Sequence, residues 1–174
     1  MTTPAAVGIA AGTYTIDATR SRIRFRTAHA FGIGPVAGTF TIRDGTISVA
    51  AEPTRSAVRV RVDAASFTTD KPKRDQDIRS KRFLHAQAYP DLLFTSERLT
   101  REGDRWLLHG RLTAKGTAAP VALELVEGTA DATGCRFTAR GRIDRYAHKV
   151  GPRGIVGRYL DAEFEVFGSA FPAS

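Results

Sequence analysis

The stretch Val58-Arg59-Val60-Arg61-Val62 alternates apolar and basic side chains over five consecutive positions. Successive side chains of a β-strand point to opposite faces, so this stretch predicts a strand with one dry face and one wet face. The same alternation recurs at residues 23–26, 137–143 and 162–166. Many strands of this kind and little helix indicate an antiparallel sheet, which a chain of 174 residues closes most economically into a barrel.

Turn signals divide the chain into short predicted strands. Asp44-Gly45 lies between two alternating runs, which is the usual signature of a two-residue hairpin turn. The regular spacing of the strands is typical of an up-and-down antiparallel arrangement. The predicted strands are at about 21–28, 36–43, 45–51, 56–66, 92–99, 105–114, 120–127, 134–144 and 157–167.

Residues 67–91 break this alternation. Asp70 is suited to cap a short helix, Pro72 is tolerated in a first helical turn, and Pro90 would stop the helix. The segment therefore predicts a short helical insertion at about 68–90. A connection of this length in a compact barrel either carries function, as a lid does, or plugs one end of the barrel, and the sequence leaves both interpretations open.

The length and composition of the chain predict one barrel domain of residues 14–170, preceded by a disordered segment of residues 1–13. This segment has no basic region and no sustained apolar region, so we expect no secretory signal peptide and a cytoplasmic protein. Cys135 is the single cysteine, which excludes an intrachain disulfide and a cysteine-based metal site. Strand parity predicts that Cys135 is a small core residue.

The chain is strongly basic, with a formal net charge of +8 and a pI near 10.2. Its arginines are spread over the polar faces of several predicted strands, as the exterior of a solvated barrel requires. The aromatic residues beside these arginines, such as Phe25, fall on the inward rows by parity, so the arginine rows carry no interleaved aromatic residues to stack on bases. We therefore predict no specific binding of nucleic acid and at most peripheral contact with an anionic membrane.

Few residues in the sequence point to catalysis or metal binding. Phosphate-binding loops and nucleophile elbows do not occur, and the four histidines lack the spacing of metal ligands. His29 ends the first predicted strand on the inward row, where it is either a polar group in the barrel mouth or a turn histidine bonded to the backbone. Arg74-Asp75 in the insertion and Asp144-Arg145 at the end of the eighth predicted strand are each either a buried ionic network or a contact for the polar head of a ligand.

The inward rows of the predicted strands are apolar and carry almost no charge. Glycines and alanines interrupt these rows, which indicates a tunnel or a close backbone approach. An uncharged tunnel would hold a long apolar molecule by removing its surface from water, at about 25 cal/mol per Å². The candidate ligand-binding side chains are Ile23, Phe25, Val36, Phe40, Phe83, Phe94, Leu108, Leu112, Phe137 and Phe164, with His29, Arg74 and Asp75 at the mouth.

Blocks of residues in a fixed order run through the chain. They are Tyr14-x-Ile16-Asp17-x-x-x-Ser21-x-Ile23-x-Phe25, His29, Val36-x-Gly38-x-Phe40, Arg74-Asp75-x-x-Ile78-Arg79-Ser80-x-x-Phe83, Tyr89-Pro90-x-x-x-Phe94-x-Ser96, Gly110-x-Leu112-Thr113-x-x-Gly116-x-x-x-Pro120-Val121 and Ile143-Asp144-Arg145. Together they resemble the YceI-like family over roughly residues 14–167. The resemblance implies an all-β fold, an eight-stranded antiparallel lipocalin-like barrel with a helical insertion, around an apolar tunnel for a polyisoprenoid or an isoprenoid quinone. It implies no established catalytic activity.

The leading functional hypothesis is binding, storage or transport of a long apolar isoprenoid lipid. The protein would then not be an enzyme, and it would need no cofactor besides the bound lipid. The alternative is an enzyme acting on a hydrophobic metabolite in the same cavity, for instance a hydratase or cyclase that uses His29 with an acid. A homodimer formed through a strand edge is compatible with the sequence but has no specific support in it.

Overall fold

The computed structural model describes residues 9–27, 36–153 and 157–170. In these residues the chain forms nine strands, one α-helix and a short 3-10 turn. The strands are β1 (Gly12–Ile16), β2 (Arg22–Thr27), β3 (Ala37–Val49), β4 (Ala57–Thr68), β5 (Asp91–Glu102), β6 (Arg105–Ala114), β7 (Thr117–Ala130), β8 (Gly134–Asp144) and β9 (Tyr159–Ala170). The helix α1 is Pro72–Arg79, and the 3-10 turn is Pro53–Arg55.

The strands close into one antiparallel barrel. From β4 to β9 each strand pairs with the next one in the chain, β9 pairs with β2, and β3 closes the ring between β2 and β4. β1 and β2 share one position in this ring, because both pair with β3 on one side and with β9 on the other. The barrel thus has eight strand positions, and the predicted eight-stranded antiparallel fold with a short helix is confirmed.

The two faces of the strands follow the alternation in the sequence. In β2, Ile23 and Phe25 are buried and the arginines beside them are exposed. In β4, Val60 and Val62 are buried in the same way. Cys135 is buried too, and burial raises the pKa of its thiol to about 11, so the thiol stays protonated at neutral pH. One face of each strand therefore builds the barrel interior.

The predicted hairpin turn at Asp44-Gly45 is wrong, because β3 runs through both residues. Both pair with β4, and the Arg61 guanidinium binds the Asp44 carboxylate. A glycine is needed here for close approach rather than for a turn. A Cβ atom at position 45 would lie 2.6 Å from Ile16 Cδ1 and 2.7 Å from the Arg59 carbonyl oxygen. Ile16 belongs to β1, a strand that the sequence prediction missed.

The insertion contains the predicted helix, but Asp70 does not cap it. α1 begins at Pro72, and Lys71 occupies the capping position without a capping hydrogen bond from its side chain. Asp70 instead pairs with Arg74, four residues later, at 3.0 Å. The preset backbone angle of a proline at the first helical position starts this helix without a side-chain cap.

The two ends of the barrel are built from different connections. The end that we call the helix end holds the connections after β4, β6 and β8, with described residues 69–90, 115–116, 145–153 and 157–158. The end that we call the turn end holds the connections after β3, β5 and β7, which are residues 50–56, 103–104 and 131–133. α1 therefore lies at the helix end, and the 3-10 turn Pro53–Arg55 lies at the turn end.

Candidate ligand cavity

A cavity of about 310 Å³ occupies the interior of the barrel. All nine strands contribute apolar side chains to its wall, because each turns one parity of side chains inward. The structure brings eight of the candidate side chains together around this cavity. They are Ile23, Phe25, Phe40, Phe94, Leu108, Leu112, Phe137 and Phe164. Their contact with a ligand stays a prediction.

Two further apolar candidates are buried outside the wall of the cavity. The backbone N–H of Val36 donates to Thr27 Oγ1 at 3.0 Å. The ring of Phe83 packs against the backbone of Gly151, where an added Cβ atom would lie 2.5 Å from it. Phe83 thus joins the insertion to the connection after β8. His29, the third candidate of this region, lies outside the described residues.

Arg74 and Asp75 lie on α1 and do not line the cavity. The Asp75 carboxylate is buried and accepts hydrogen bonds from the backbone N–H of Thr69 at 3.0 Å and from the Thr69 hydroxyl at 2.5 Å. Burial by itself raises the pKa of Asp75. The hydrogen bonds from Thr69, together with the charges of Arg79 and Arg74, outweigh that effect and leave the pKa lowered. Asp75 therefore ties the start of the helix to the end of β4.

The lowered pKa of Asp75 predicts a loss of stability in acid. A carboxyl whose pKa is lower in the folded protein stabilises the fold above its ordinary pKa of about 3.9, and this contribution is lost as the pH falls through the folded value. We expect the Asp75→Asn variant to be less stable than the wild type near neutral pH and to lose less stability on acidification. Urea unfolding at about pH 7, 5 and 3 measures both effects.

The matched control for this measurement is Asp77→Asn, which changes an exposed aspartate on the same helix. This variant should keep the pH dependence of the wild type. Equal curves for the Asp75 and Asp77 variants would show that the buried carboxylate does not contribute in this way.

Three polar side chains interrupt the apolar wall in the described residues: Ser56, Arg145 and His148. Ser56 lies at the turn end, where its hydroxyl accepts a hydrogen bond from the backbone N–H of Ala50 at 3.0 Å. Arg145 and His148 lie at the helix end, on the connection after β8. Since Ser56 is at the far end from His148, the described wall contains no serine and histidine placed to act together as nucleophile and base.

Arg145 is a buried cation at the helix end of the cavity, with 4% of its surface exposed. Its Nε donates to the Gly157 carbonyl at 2.9 Å and one terminal nitrogen donates to the Val150 carbonyl at 2.8 Å. Burial lowers the pKa of the guanidinium, but arginine has such a high ordinary pKa that it stays charged at neutral pH. Through these bonds Arg145 joins Val150 and Gly157 of the connection after β8 at the helix end of the cavity.

His148 is nearly inaccessible, at 2% exposure, and both ring nitrogens face carbonyl oxygens. Nε2 lies 2.8 Å from the carbonyl of Leu112, and Nδ1 lies 3.2 Å from the carbonyl of Asp144. The shorter contact indicates that Nε2 donates its proton to Leu112 on β6. His148 thereby ties the connection after β8 to a strand two positions away in the barrel.

Sequence reasoning left Asp144-Arg145 open as a buried network or a contact for the head of a ligand, and it did not place His148 in the cavity. The Asp144-Arg145 pair stands out in the sequence as two opposite charges directly after a strand, which was a usable signal for Arg145. No pattern in the sequence distinguishes His148, because its partners are carbonyl oxygens that any residue could supply.

The space beside the inward glycines is filled by neighbouring side chains, so these glycines allow close packing and do not open a tunnel. A Cβ atom at Gly38 would lie 2.7 Å from the Phe25 ring, and one at Gly110 would lie 2.7 Å from the Phe94 ring. The free space in the barrel instead borders inner alanines, among them Ala139 and Ala162, which line the cavity. The inward glycines thus serve close approach, and the inward alanines border the open interior.

The cavity reaches exposed residues at the turn end. Ala51 and Pro53 are the exposed members of its wall within the described chain. Pro53 begins the 3-10 turn, and Ala51 lies two residues before it. At the helix end the described wall residues Leu84, Arg145 and His148 are buried and Val150 is half-buried, so none of them is exposed. The described structure therefore offers an entrance beside the turn Pro53–Arg55.

Neither a cluster of metal ligands nor a membrane-spanning helix occurs in the described residues. No three or more histidine, cysteine, aspartate or glutamate side chains in residues 9–27, 36–153 and 157–170 come together as metal ligands would. Over the same residues, the structure contains no helix with the length and apolar character needed to cross a lipid bilayer.

The fold and the cavity define a closed antiparallel β-barrel with an apolar interior. The chain belongs to the YceI-like family, whose domain matches residues 14–167. A UPF0312 protein of Photorhabdus laumondii is 35% identical over 127 residues, which cover 70% of this chain and 66% of that protein. The matched part thus spans slightly under two thirds of the length of this relative.

Solved structures share the fold at low sequence identity. BcnA of Burkholderia cenocepacia superposes with a TM-score of 0.74 at 20% identity, covering 87% of this chain and 98% of that chain. A polyisoprenoid binding domain from Saccharophagus degradans, implicated in plant cell wall breakdown, superposes with a TM-score of 0.65 at 16% identity, covering 91% of this chain and 98% of that chain. At these identities the likeness extends to the fold alone.

Proposed function

We propose that this protein binds a long apolar isoprenoid lipid in the barrel interior and stores or transports it without changing it chemically. The observation that supports this function is a cavity of about 310 Å³ whose described wall is apolar except for Ser56, Arg145 and His148. Such a wall selects a ligand by the surface it removes from water, since few polar atoms are available to orient a small polar molecule. The Saccharophagus domain of the same fold is described as polyisoprenoid binding, which agrees with this class of ligand.

The ligand we propose is a polyisoprenoid or an isoprenoid quinone. Its chain would enter beside Ala51 and Pro53 and extend along Phe137, Phe164 and Leu108 toward the helix end. The enzyme alternative depends on His29, which lies outside the described residues. Of the polar groups in the described wall, Arg145 and His148 are bonded to backbone carbonyls, which favours binding over catalysis. Storage or transport of a lipid requires no reactive side chain in the cavity.

The test is mass spectrometry of an organic extract from protein purified out of a native-like host, together with native mass of the intact complex. We expect one isoprenoid in stoichiometric amount, and its ultraviolet spectrum before and after borohydride reduction separates a quinone from a polyisoprenoid. Recovery of the same lipid unchanged after long incubation would agree with storage or transport. A protein that is empty, and stays empty when isoprenoids are offered, would contradict the proposal.

A further inference from the structure

The charge of this protein is concentrated at one end of the barrel. The connections of the helix end carry eleven lysines and arginines and three aspartates, a formal charge equal to the +8 of the whole chain. The connections of the turn end carry one arginine and three acidic residues, a formal charge of −2. The molecule is therefore electrically polar along the barrel axis, although its strands carry a nearly balanced set of charges.

The exposed aromatic side chains lie at the same end. In the described residues, Tyr89 and Tyr159 are the exposed large apolar side chains, each 40% exposed. Tyr89 lies just before β5, and Tyr159 begins β9. Charge and exposed aromatic surface are independent properties of a surface, and here both mark the helix end.

These groups adjoin one another. The Tyr89 ring packs against the β6–β7 turn at Gly116, and the ammonium of the preceding Lys115 lies 3.5 Å from the Lys149 carbonyl. The guanidinium groups of Arg153 and Arg158 lie 4.8 and 5.2 Å from the centre of the Tyr146 ring. Arg158 also lies 5.0 Å from the centre of the Tyr159 ring. We call this surface the Tyr–Arg face; it comprises Tyr89, Lys115, Lys149, Arg153, Arg158 and Tyr159.

One carboxylate offsets part of this charge. Asp144 accepts hydrogen bonds from Arg158 at 3.0 and 2.8 Å, so Arg158 is already paired. Arg153 makes its described contact with the Tyr146 ring, and the side chains of Lys149 and Arg153 are exposed. The face therefore keeps cationic groups that are available to an external anion.

We infer that the Tyr–Arg face docks onto an anionic lipid surface. Basic side chains near an anionic bilayer are each attracted by its surface potential, and tyrosines are enriched where water meets the headgroups. A single-stranded nucleic acid would need free aromatic faces on which its bases can stack. Here guanidinium groups already lie over the rings of Tyr146 and Tyr159, which suits a headgroup layer better than a row of stacked bases. Docked in this way, the barrel would direct its turn end, and the entrance beside Pro53, away from the bilayer. This inference does not depend on which molecule the cavity holds.

The test compares vesicles of phosphatidylcholine alone with vesicles that also contain phosphatidylglycerol. We expect cosedimentation with the anionic vesicles only, weakening as salt is added. The double variant Lys149→Glu/Arg153→Glu should bind them at least tenfold more weakly. The double variant Arg55→Glu/Arg98→Glu makes the same change in net charge at two exposed residues away from the helix end, and it should bind nearly as well as the wild type.

A fluorescent variant locates the contact. The native tryptophan, Trp106, is buried beside the turn end and should stay unaffected by brominated lipid. The Tyr89→Trp variant should be quenched by brominated anionic vesicles. Absence of vesicle binding, an equal loss in both double variants, or tighter binding of a single-stranded oligonucleotide than of the vesicles at the same salt would each overturn the inference. These results are independent of the lipid content of the cavity. A protein that does not bind vesicles could still carry a lipid in its cavity, and a protein with an empty cavity could still bind vesicles.

Discussion

Replacing Ala139 with tryptophan is expected to reduce the lipid retained by the purified protein at least about tenfold. Ala139 is buried on β8, lines the cavity and pairs with Leu125 and Phe164 on the adjacent strands. An indole here would fill space that the ligand needs. Roughly 100 Å² of ligand surface left in water costs about 2.5 kcal/mol, which is more than a tenfold loss of affinity. The measurement is extracted lipid per protein by mass spectrometry.

The control is the same substitution on the outer face of the neighbouring strand. Ala122 is exposed on β7, so the Ala122→Trp variant should retain lipid as the wild type does. Thermal unfolding of both variants separates loss of ligand from loss of fold. If tryptophan at position 139 prevents folding, Ala139→Leu gives the same test with a smaller side chain. A folded Ala139→Trp protein with its full complement of lipid would place the ligand outside this cavity.

The Arg145→Met variant is expected to lose about 3 kcal/mol of stability, because it removes charged hydrogen bonds to buried carbonyls and leaves those carbonyls without this donor. For a chain of this size, that loss corresponds to a melting temperature lower by about 6–12 °C. The carbonyls concerned belong to Val150 and Gly157, so the connection after β8 should open first. Urea unfolding and hydrogen exchange of residues 145–153 measure the two effects.

Arg142→Met is the matched control for this variant. Arg142 is exposed and pairs with Asp161 at 3.1 Å on the outer face of the barrel, where such a pair contributes about 0–1 kcal/mol. Equal unfolding curves for the two variants would show that the buried bonds of Arg145 do not stabilise the fold. An Arg145→Met protein of unchanged stability that had lost its lipid would instead identify Arg145 as a ligand contact.

Most of the cavity wall could be predicted from the sequence. The inward positions of Phe25, Leu108 and Phe164 follow from the two-residue period of a strand, which is a local property of the chain. The helical insertion was visible for a related reason, since residues 67–91 lack that period. Such features are recognisable because each depends on neighbours a few positions away.

Two predictions from local patterns failed because another residue, distant in one case and four positions away in the other, supplies a competing contact. Asp44-Gly45 has the local signature of a turn, yet pairing with β4 and the close approach of Ile16 keep this segment extended. Asp70 has the chemistry of a helix cap, yet it pairs with Arg74. In both cases a tertiary or helical partner outweighs the preference of the isolated segment.

The amino-acid sequence is enough to predict an antiparallel barrel with an apolar interior and a basic exterior, because strand parity and composition can be observed in consecutive residues. Two further features depend on the folded barrel: among the described residues, the exposed part of the cavity wall lies at the turn end, and the basic connections and the exposed tyrosines lie at the helix end. The folded barrel also buries His148 against the carbonyl of Leu112, 36 residues away in the chain. The physical reason is barrel closure: the pairing of β3 with β4 and of β9 with β1 and β2 brings together residues that no local pattern relates.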